Sequence, residues 1–420
     1  MLRGTWPNDA QSAGSTRETM LQGAVNSPSR KMPPVRRIER RTSDNGSIGG
    51  SQMQSKGLFQ ADRSNDPASR PYISARPARK FTLTSEAAPA KRLEPAFLRP
   101  PDPGDNNMVK YKNRLPQPAG GPYLTDGGIE TTLIFQDGFE LPYFAAFHLL
   151  KDESGTEGLR AYFRRHAAIA KRFDLGFVLE SPTWRASPDW GAKLGYSENA
   201  LNAANRVAIR LMHELRAEFE SERSPMIISG CVGPRGDGYD AGRIMSPEEA
   251  EAYHAPQIQI YAEEGADLVT AITMTNINEA VGVARAAKAA EMPAVISFTV
   301  ETDGTLPAGD KLGDAIAAVD AATGRGPAYY MINCAHPDHF ADVLKGEWTK
   351  RLGGIRANAS RCSHAELDEA EELDAGDPAE LGRLYGDLRA RFPNLVVLGG
   401  CCGTDHRHIE EIAQATRVSA

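Results

Sequence analysis

The sequence predicts a (β/α)8 barrel, and three observations carry that expectation. From residue 120 onward, short apolar runs ending in Gly, Pro, Ser or Thr alternate with longer segments of helical spacing. The runs are nearly continuous in apolar character, as strands of a parallel sheet covered on both faces are. About eight such units fill roughly 300 residues, which suits a closed barrel better than an open doubly wound sheet; a three-layer fold is the structural alternative.

The elements follow in order. The first predicted strand covers 123–126, and a helical pattern occupies 157–172. The strand 175–180 precedes a helix over 199–220, 226–230 precedes 247–264, and 268–273 precedes 279–290. Strands over 294–299, 329–334 and 352–358 continue the series, the last being the weakest of the set. A helix over 378–391 leads into the closing strand, 395–400. In every helical segment apolar residues recur at intervals of three and four, the spacing of one buried face.

Residues 1–107 read differently. They hold 12 of the 28 prolines, no cysteine, and no apolar run long enough to pack, so they form a disordered, basic Pro/Ser/Arg-rich extension to a 108–420 barrel domain. This segment carries 17 Lys plus Arg against 10 Asp plus Glu, whereas the remainder carries 31 against 45. The basic residues, among them Arg36, Arg37, Arg40 and Arg41, are dispersed and almost free of interleaved aromatics. A solvated tail therefore fits better than a nucleic-acid or membrane-surface arm. Asp9, Glu18 and Pro7 argue against a transit helix, and no apolar targeting core follows. The abrupt change after Met108 suggests that translation starts there. No run approaches the roughly 18–20 apolar residues of a membrane span. Five cysteines, two of them adjacent, in an acidic domain point to a reducing, cytoplasmic setting in which cysteines are ligands or buried thiols. No feature of the sequence specifies an oligomeric state.

A barrel places its active site at the C-terminal ends of the strands. Asp126 ends the first predicted strand, Cys334 the sixth, and Cys401-Cys402 follow the eighth. Thiolates are zinc ligands, and a catalytic zinc uses three protein ligands with one open position. Adjacent cysteines in an extended strand point to opposite faces, so both reach one ion only if the chain turns sharply, which the flanking glycines permit. On spacing alone the pair is equally a pair of small buried residues or a redox-active vicinal couple.

The sequence resembles the homocysteine S-methyltransferase family. The resemblance rests on Asn333-Cys334 and on Gly399-Gly400-Cys401-Cys402-Gly403-Thr404 followed by His408 and Ile409. It extends over about 120–416, with Leu124-Thr125-Asp126-Gly127-Gly128, Gly233-Pro234 and Ser297-Phe298-Thr299 in their expected places. It implies a (β/α)8 barrel, zinc held by Cys334, Cys401 and Cys402, and methyl transfer from a small sulfonium or quaternary-ammonium donor to homocysteine, giving methionine. A free thiol near pKa 8.5 is mostly protonated at neutral pH, whereas a zinc-coordinated thiol is deprotonated, so the ion replaces a general base. Transfer from a cationic donor neutralises charge, which a low-dielectric mouth favours.

The resemblance also implies that backbone N–H groups around Gly127 and Gly128 hold the substrate carboxylate and that Asp126 pairs with its ammonium. The sequence departs from the family at one place. Many relatives end the fourth strand with Glu-Thr, whose carboxylate helps hold that ammonium, but the matching positions are Ile272-Thr273. Glu180 and Glu301 are candidates to compensate. Another thiol or selenol as acceptor, or a non-catalytic zinc-binding barrel, is the alternative reading. Trp184, beside Arg185 and near Trp190, is the candidate aromatic face for the methylated cation, with rim packing as its ordinary role. Cys231 reads as packing, Cys362 has no assigned role, and His336, His339, His406 and His408 read as support or loop surface.

Overall fold

The computed structural model describes residues 109–113, 115, 122–370 and 372–417. The extension 1–107 and the candidate start at Met108 lie outside the described residues. Eight parallel strands pair in sequence order: β1 (Tyr123–Leu124), β2 (Gly176–Glu180), β3 (Met226–Val232), β4 (Leu268–Met274), β5 (Ala294–Phe298), β6 (Tyr329–Asn333), β7 (Leu352–Ala357) and β8 (Val397–Gly400). Because β1 pairs with β8 as well as β2, the sheet closes and has no edge, which decides for the barrel over the three-layer alternative.

The helices are α1 (Ile129–Phe135), α2 (Glu153–Arg172), α3 (Pro188–Lys193), α4 (Glu198–Phe219), α5 (Pro247–Glu263), α6 (Ile277–Ala289), α7 (Leu312–Thr323), α8 (Pro337–Phe340), α9 (His364–Glu369), α10 (Pro378–Arg391) and α11 (His406–Thr416). Their starts follow local chemistry. Ser246 and Glu249 form a reciprocal capping box on α5, and the Asp405 carboxylate accepts from Arg407 N at the start of α11.

Strand alternation sorts the core into two layers. Leu124, Phe177, Ile228, Val269, Ile296 and Leu398 face outward into the large cluster shared with the helices. Tyr123, Val178, Ile227, Leu268, Val295 and Met331 form a second cluster, which fills the floor of the barrel. Continuing each inward row by two residues gives Glu180, Ser229, Thr270, Ser297 and Asn333, all buried. With Arg356, inward from β7, they make a polar storey directly above the apolar floor and below the mouth.

Strand ends differ from the sequence expectation where function concentrates. As strand, β1 stops at Leu124, yet Thr125 N still donates to Leu398 O (2.9 Å) and Gly400 N to Asp126 O (2.9 Å), so the ladder with β8 persists as the chain leaves for α1. The register of β4 against β5 shifts between Ala271 and Met274, because Thr273 sits in the left-handed region at φ +66°. A β-branched residue rarely adopts that conformation, and neither Thr273 nor Cys334, at φ +52°, announces it in sequence.

Candidate metal centre

The three cysteines meet at the C-terminal mouth. Cys334 leaves β6 and Cys401 leaves β8, on either side of β7, and both are hung from that strand: Cys334 N donates to Arg356 O (3.1 Å) and Cys401 N to Ala357 O (2.8 Å). The chains then curve over the end of β7, bringing the two Cα atoms to 5.4 Å. Cys401 to Thr404 form a tight turn closed by Thr404 N donating to Cys401 O (3.1 Å), with Gly403 at φ +80° in its third position. That turn is what lets adjacent cysteines face one point. The three Sγ atoms lie within 4.8 Å of one another.

Cys334 and Cys401 are joined as a disulfide, and Cys402 carries a free thiol. A tetrahedral zinc with sulfur at about 2.3 Å places its ligands about 3.8 Å apart, so modest side-chain rotation in the reduced protein converts this cluster into a three-thiolate site. The donor set fits zinc: soft sulfur ligands, three in number, with an open side toward the mouth. Burial pushes the Cys402 thiol up to about 11, and its sulfur lies 3.4 Å from the Tyr239 hydroxyl.

Asn333 fixes the strained backbone beneath. Its Oδ1 accepts from Thr273 N (2.9 Å) and from the Ser297 hydroxyl (2.6 Å), and its Nδ2 donates to Thr273 Oγ1 (2.8 Å). One fully buried amide thereby ties β4, β5 and β6 together and sets the geometry from which Cys334 projects. On the other side, His364 donates through Nε2 to Cys334 O (2.7 Å), while its Nδ1 faces Glu301 Oε1 (3.3 Å). Tyr239 stacks on the His364 ring at 4.0 Å between centroids, beside the cluster.

The Asp-Gly-Gly loop packs directly against the cysteine turn. Gly128 N donates to Thr404 O (3.0 Å), and a Cβ on Gly128 would come within 2.5 Å of Cys401 O, so glycine is required by close approach. Asp126 is buried, with Oδ1 2.8 Å from Arg356 Nη2 and Oδ2 accepting from Tyr162 OH (3.0 Å). Arg356 also donates to Gly400 O (3.1 Å) and Gly127 O (3.3 Å), locking the first and last strand ends together.

Of the remaining sequence candidates, Glu180 lies in the polar storey, where burial pushes its carboxyl up to about 7 against the pull of Arg356. Glu301 reaches the centre only through His364. The Trp184 ring carries Arg185 4.5 Å from its centroid and donates its Nε1–H to Ile272 O (3.2 Å). His336 caps α8, and His408 accepts from Asp405 N at Nδ1 and donates from Nε2 to Ala375 O in the loop network after β8, so both support loops. Cys231 is buried in β3. Tyr239 and His364 were not singled out as site residues by the sequence. Their role arises from loops that meet only in three dimensions, Tyr239 and Cys402 being 163 residues apart.

The chain is a closed (β/α)8 barrel with three convergent thiols at its C-terminal mouth. It belongs to the homocysteine S-methyltransferase family, whose family model matches residues 123–416, and it is a methyltransferase by class. It is 25% identical over 261 residues to maize homocysteine S-methyltransferase 4, covering 57% of this chain and 75% of that protein. It is 26% identical over 247 residues to homocysteine S-methyltransferase YbgG of Bacillus subtilis, covering 54% and 75%. The fold is also that of the Escherichia coli homocysteine methyltransferase MmuM. Its oxidised form superposes with a TM-score of 0.55 at 21% identity over 70% of this chain and 95% of that one. The metallated form gives 0.54 at 19% identity, over 70% and 96%.

Proposed function

We propose that this chain transfers a methyl group from a sulfonium or quaternary-ammonium donor to the sulfur of homocysteine, with zinc held by Cys334, Cys401 and Cys402. The observation that carries the reading is the convergence of those three sulfur atoms within 4.8 Å at the barrel mouth. Zinc, when bound, supplies the Lewis acidity that keeps an acceptor thiol deprotonated at neutral pH.

The chain's own residues prepare the rest. Asn333 holds the strained segment that aims Cys334, and Glu301 with His364 anchors the Cys334 carbonyl. Tyr239, its hydroxyl 3.4 Å from the Cys402 sulfur, and the His364 ring stacked on it border the cluster with ring faces, a less polar surround than water for the loss of the donor's positive charge. The disulfide form and the metal-holding form are alternatives of one cluster. The relative MmuM has been described in both an oxidised and a metallated form. A reducing, cytoplasmic setting favours the metal-holding form. Among the described residues no helix is long and apolar enough to cross a membrane.

Ile272 favours a second reading, in which the acceptor is another thiol or a selenol, because an apolar side chain stands where many relatives place an ammonium-binding carboxylate. The test is methyl transfer by reduced, zinc-supplied protein to L-homocysteine from S-methylmethionine, S-adenosylmethionine and betaine in parallel. Methionine formed with at least one donor is expected. No methionine with any of them, alongside methylation of a different thiol or selenol, would replace the first reading with the second.

A further inference from the structure

One residue of β7 bonds the chain at both of the cysteines that flank that strand. Arg356 is in register with Asn333 of β6 on one side and with Gly399 of β8 on the other. Its carbonyl accepts from Cys334 N (3.1 Å), and its Nε donates to the carbonyl of Gly400 (3.1 Å), the residue before Cys401. Cys401 N donates in turn to Ala357 O (2.8 Å). The peptide joining Gly400 to Cys401 is thus held at its oxygen by the Arg356 side chain and at its nitrogen by the β7 backbone.

The guanidinium carries the same clamp to the first strand end. Nη2, on the same edge as Nε, donates to Gly127 O (3.3 Å) and lies 2.8 Å from Asp126 Oδ1. The next residue, Gly128, donates its N–H to Thr404 O of the cysteine turn (3.0 Å). Both charged side chains are buried, and Arg356 Nη1 has no hydrogen-bond partner. A buried ion pair with an unused donor is a poor source of stability, because desolvation offsets the attraction. Placement is what the rigid planar fork supplies: two adjacent donors hold carbonyls from opposite ends of the chain at a fixed separation.

We infer that the Arg356 guanidinium is a positioning group for the metal centre, fixing the direction in which Cys401 projects relative to Cys334, which hangs from the carbonyl of the same residue. This rests on the reading of Cys334, Cys401 and Cys402 as zinc ligands. The side chain bonds carbonyls and Asp126 rather than sulfur, so it acts through the Gly400–Cys401 peptide. A group that orients ligands from outside the coordination sphere carries about 10- to 100-fold in metal affinity.

The test uses reduced, full-length protein and two metal probes. Zinc affinity is measured by competition with a chromophoric chelator, and ligand geometry by the d–d and sulfur-to-metal charge-transfer bands of the cobalt(II) form. The variants are Arg356→Met, Arg356→Lys and the double variant Asp126→Asn/Arg356→Met, which removes both charges and leaves no buried carboxylate unpaired. Arg216→Met is the control. It breaks another buried ion pair, Arg216 Nη1 to Asp267 Oδ2 (2.8 Å), just before β4 and so at the end of the barrel opposite the mouth. Melting temperature is recorded for every protein. Zinc affinity is expected to fall about 10- to 100-fold, with altered cobalt bands, in Arg356→Met and in the double variant. Arg356→Lys lies between, because a single ammonium lacks the two-donor edge. Arg216→Met is expected to lower the melting temperature and leave both metal readouts as in wild type. Where Arg356→Met does not fold, the double variant and Arg356→Lys carry the same comparison. Folded Arg356 variants with wild-type zinc affinity and cobalt bands overturn the inference and leave the zinc site standing. Equal losses in Arg216→Met overturn it too, since general loosening then accounts for them. Wild type that takes up neither metal overturns the zinc reading and this inference with it.

Discussion

Replacing Asn333 with Ala removes the side chain that holds the metal site's most strained backbone. The amide accepts from Thr273 N and the Ser297 hydroxyl and donates to Thr273 Oγ1, at 2.9, 2.6 and 2.8 Å, in a fully buried position. Deletion leaves the Thr273 N–H unpaired, at about 1–3 kcal/mol, while the Ser297 hydroxyl retains some freedom to rotate toward another acceptor. Thr273 at φ +66° stores strain that persists only while its surroundings impose it. The expected loss is about 2–4 kcal/mol of unfolding free energy. As Cys334 loses its fixed origin, metal affinity is expected to fall about 10- to 100-fold. Urea unfolding, and zinc competition against a chromophoric chelator, measure the two quantities. Asn333→Asp keeps Oδ1 and loses the donor, so it lies between. A variant Asn333→Ala with stability within about 0.5 kcal/mol of wild type and unaltered zinc affinity would refute the claim that this amide aims Cys334.

Two further outcomes are expected. The Glu180 carboxyl is raised from its ordinary value of 4.5 to about 7, so between those pH values the native state holds a proton that the unfolded chain has released. Stability contributed by this group is therefore lost as pH rises from about 4.5 to 7, by up to about 3 kcal/mol. Glu180→Gln is expected to flatten that part of the stability profile, and parallel wild-type and variant profiles would contradict it. Gly128→Ala drives a Cβ to within 2.5 Å of Cys401 O, so the loop or the cysteine turn must shift. Reduced zinc affinity with a loss of about 1–3 kcal/mol in stability is expected by chelator competition and denaturation; an unaffected site would show that the two loops do not constrain each other.

The barrel was legible because each strand is a short apolar run, and burial on both faces leaves little room for polar residues until the strand ends. The match of predicted 378–391 to Pro378–Arg391 reflects strong punctuation, Asp377-Pro378 at the start and Phe392-Pro393 at the end. The cysteine turn was legible through Gly403, which marks a left-handed position. Thr273 and Cys334 were not, since their residue types disfavour the left-handed region and only the Asn333 network imposes it. Tyr239 sits in a polar loop and His364 opens the short helix α9, neither in a segment of sustained periodicity, and their pairing beside Cys402 is a product of barrel closure. Glu180 and Glu301 were found as strand-end acids, but the sequence does not reveal that one lies in the polar storey and the other works through a histidine.

Zinc content of the reduced, full-length protein, wild type beside Cys402→Ser, addresses the three-thiolate centre most directly. About one zinc per chain in wild type, with strong loss in the variant, is the expected result. Protein that stays metal-free after reduction and exposure to zinc, with Cys334 and Cys401 both titrating as free thiols, would contradict it.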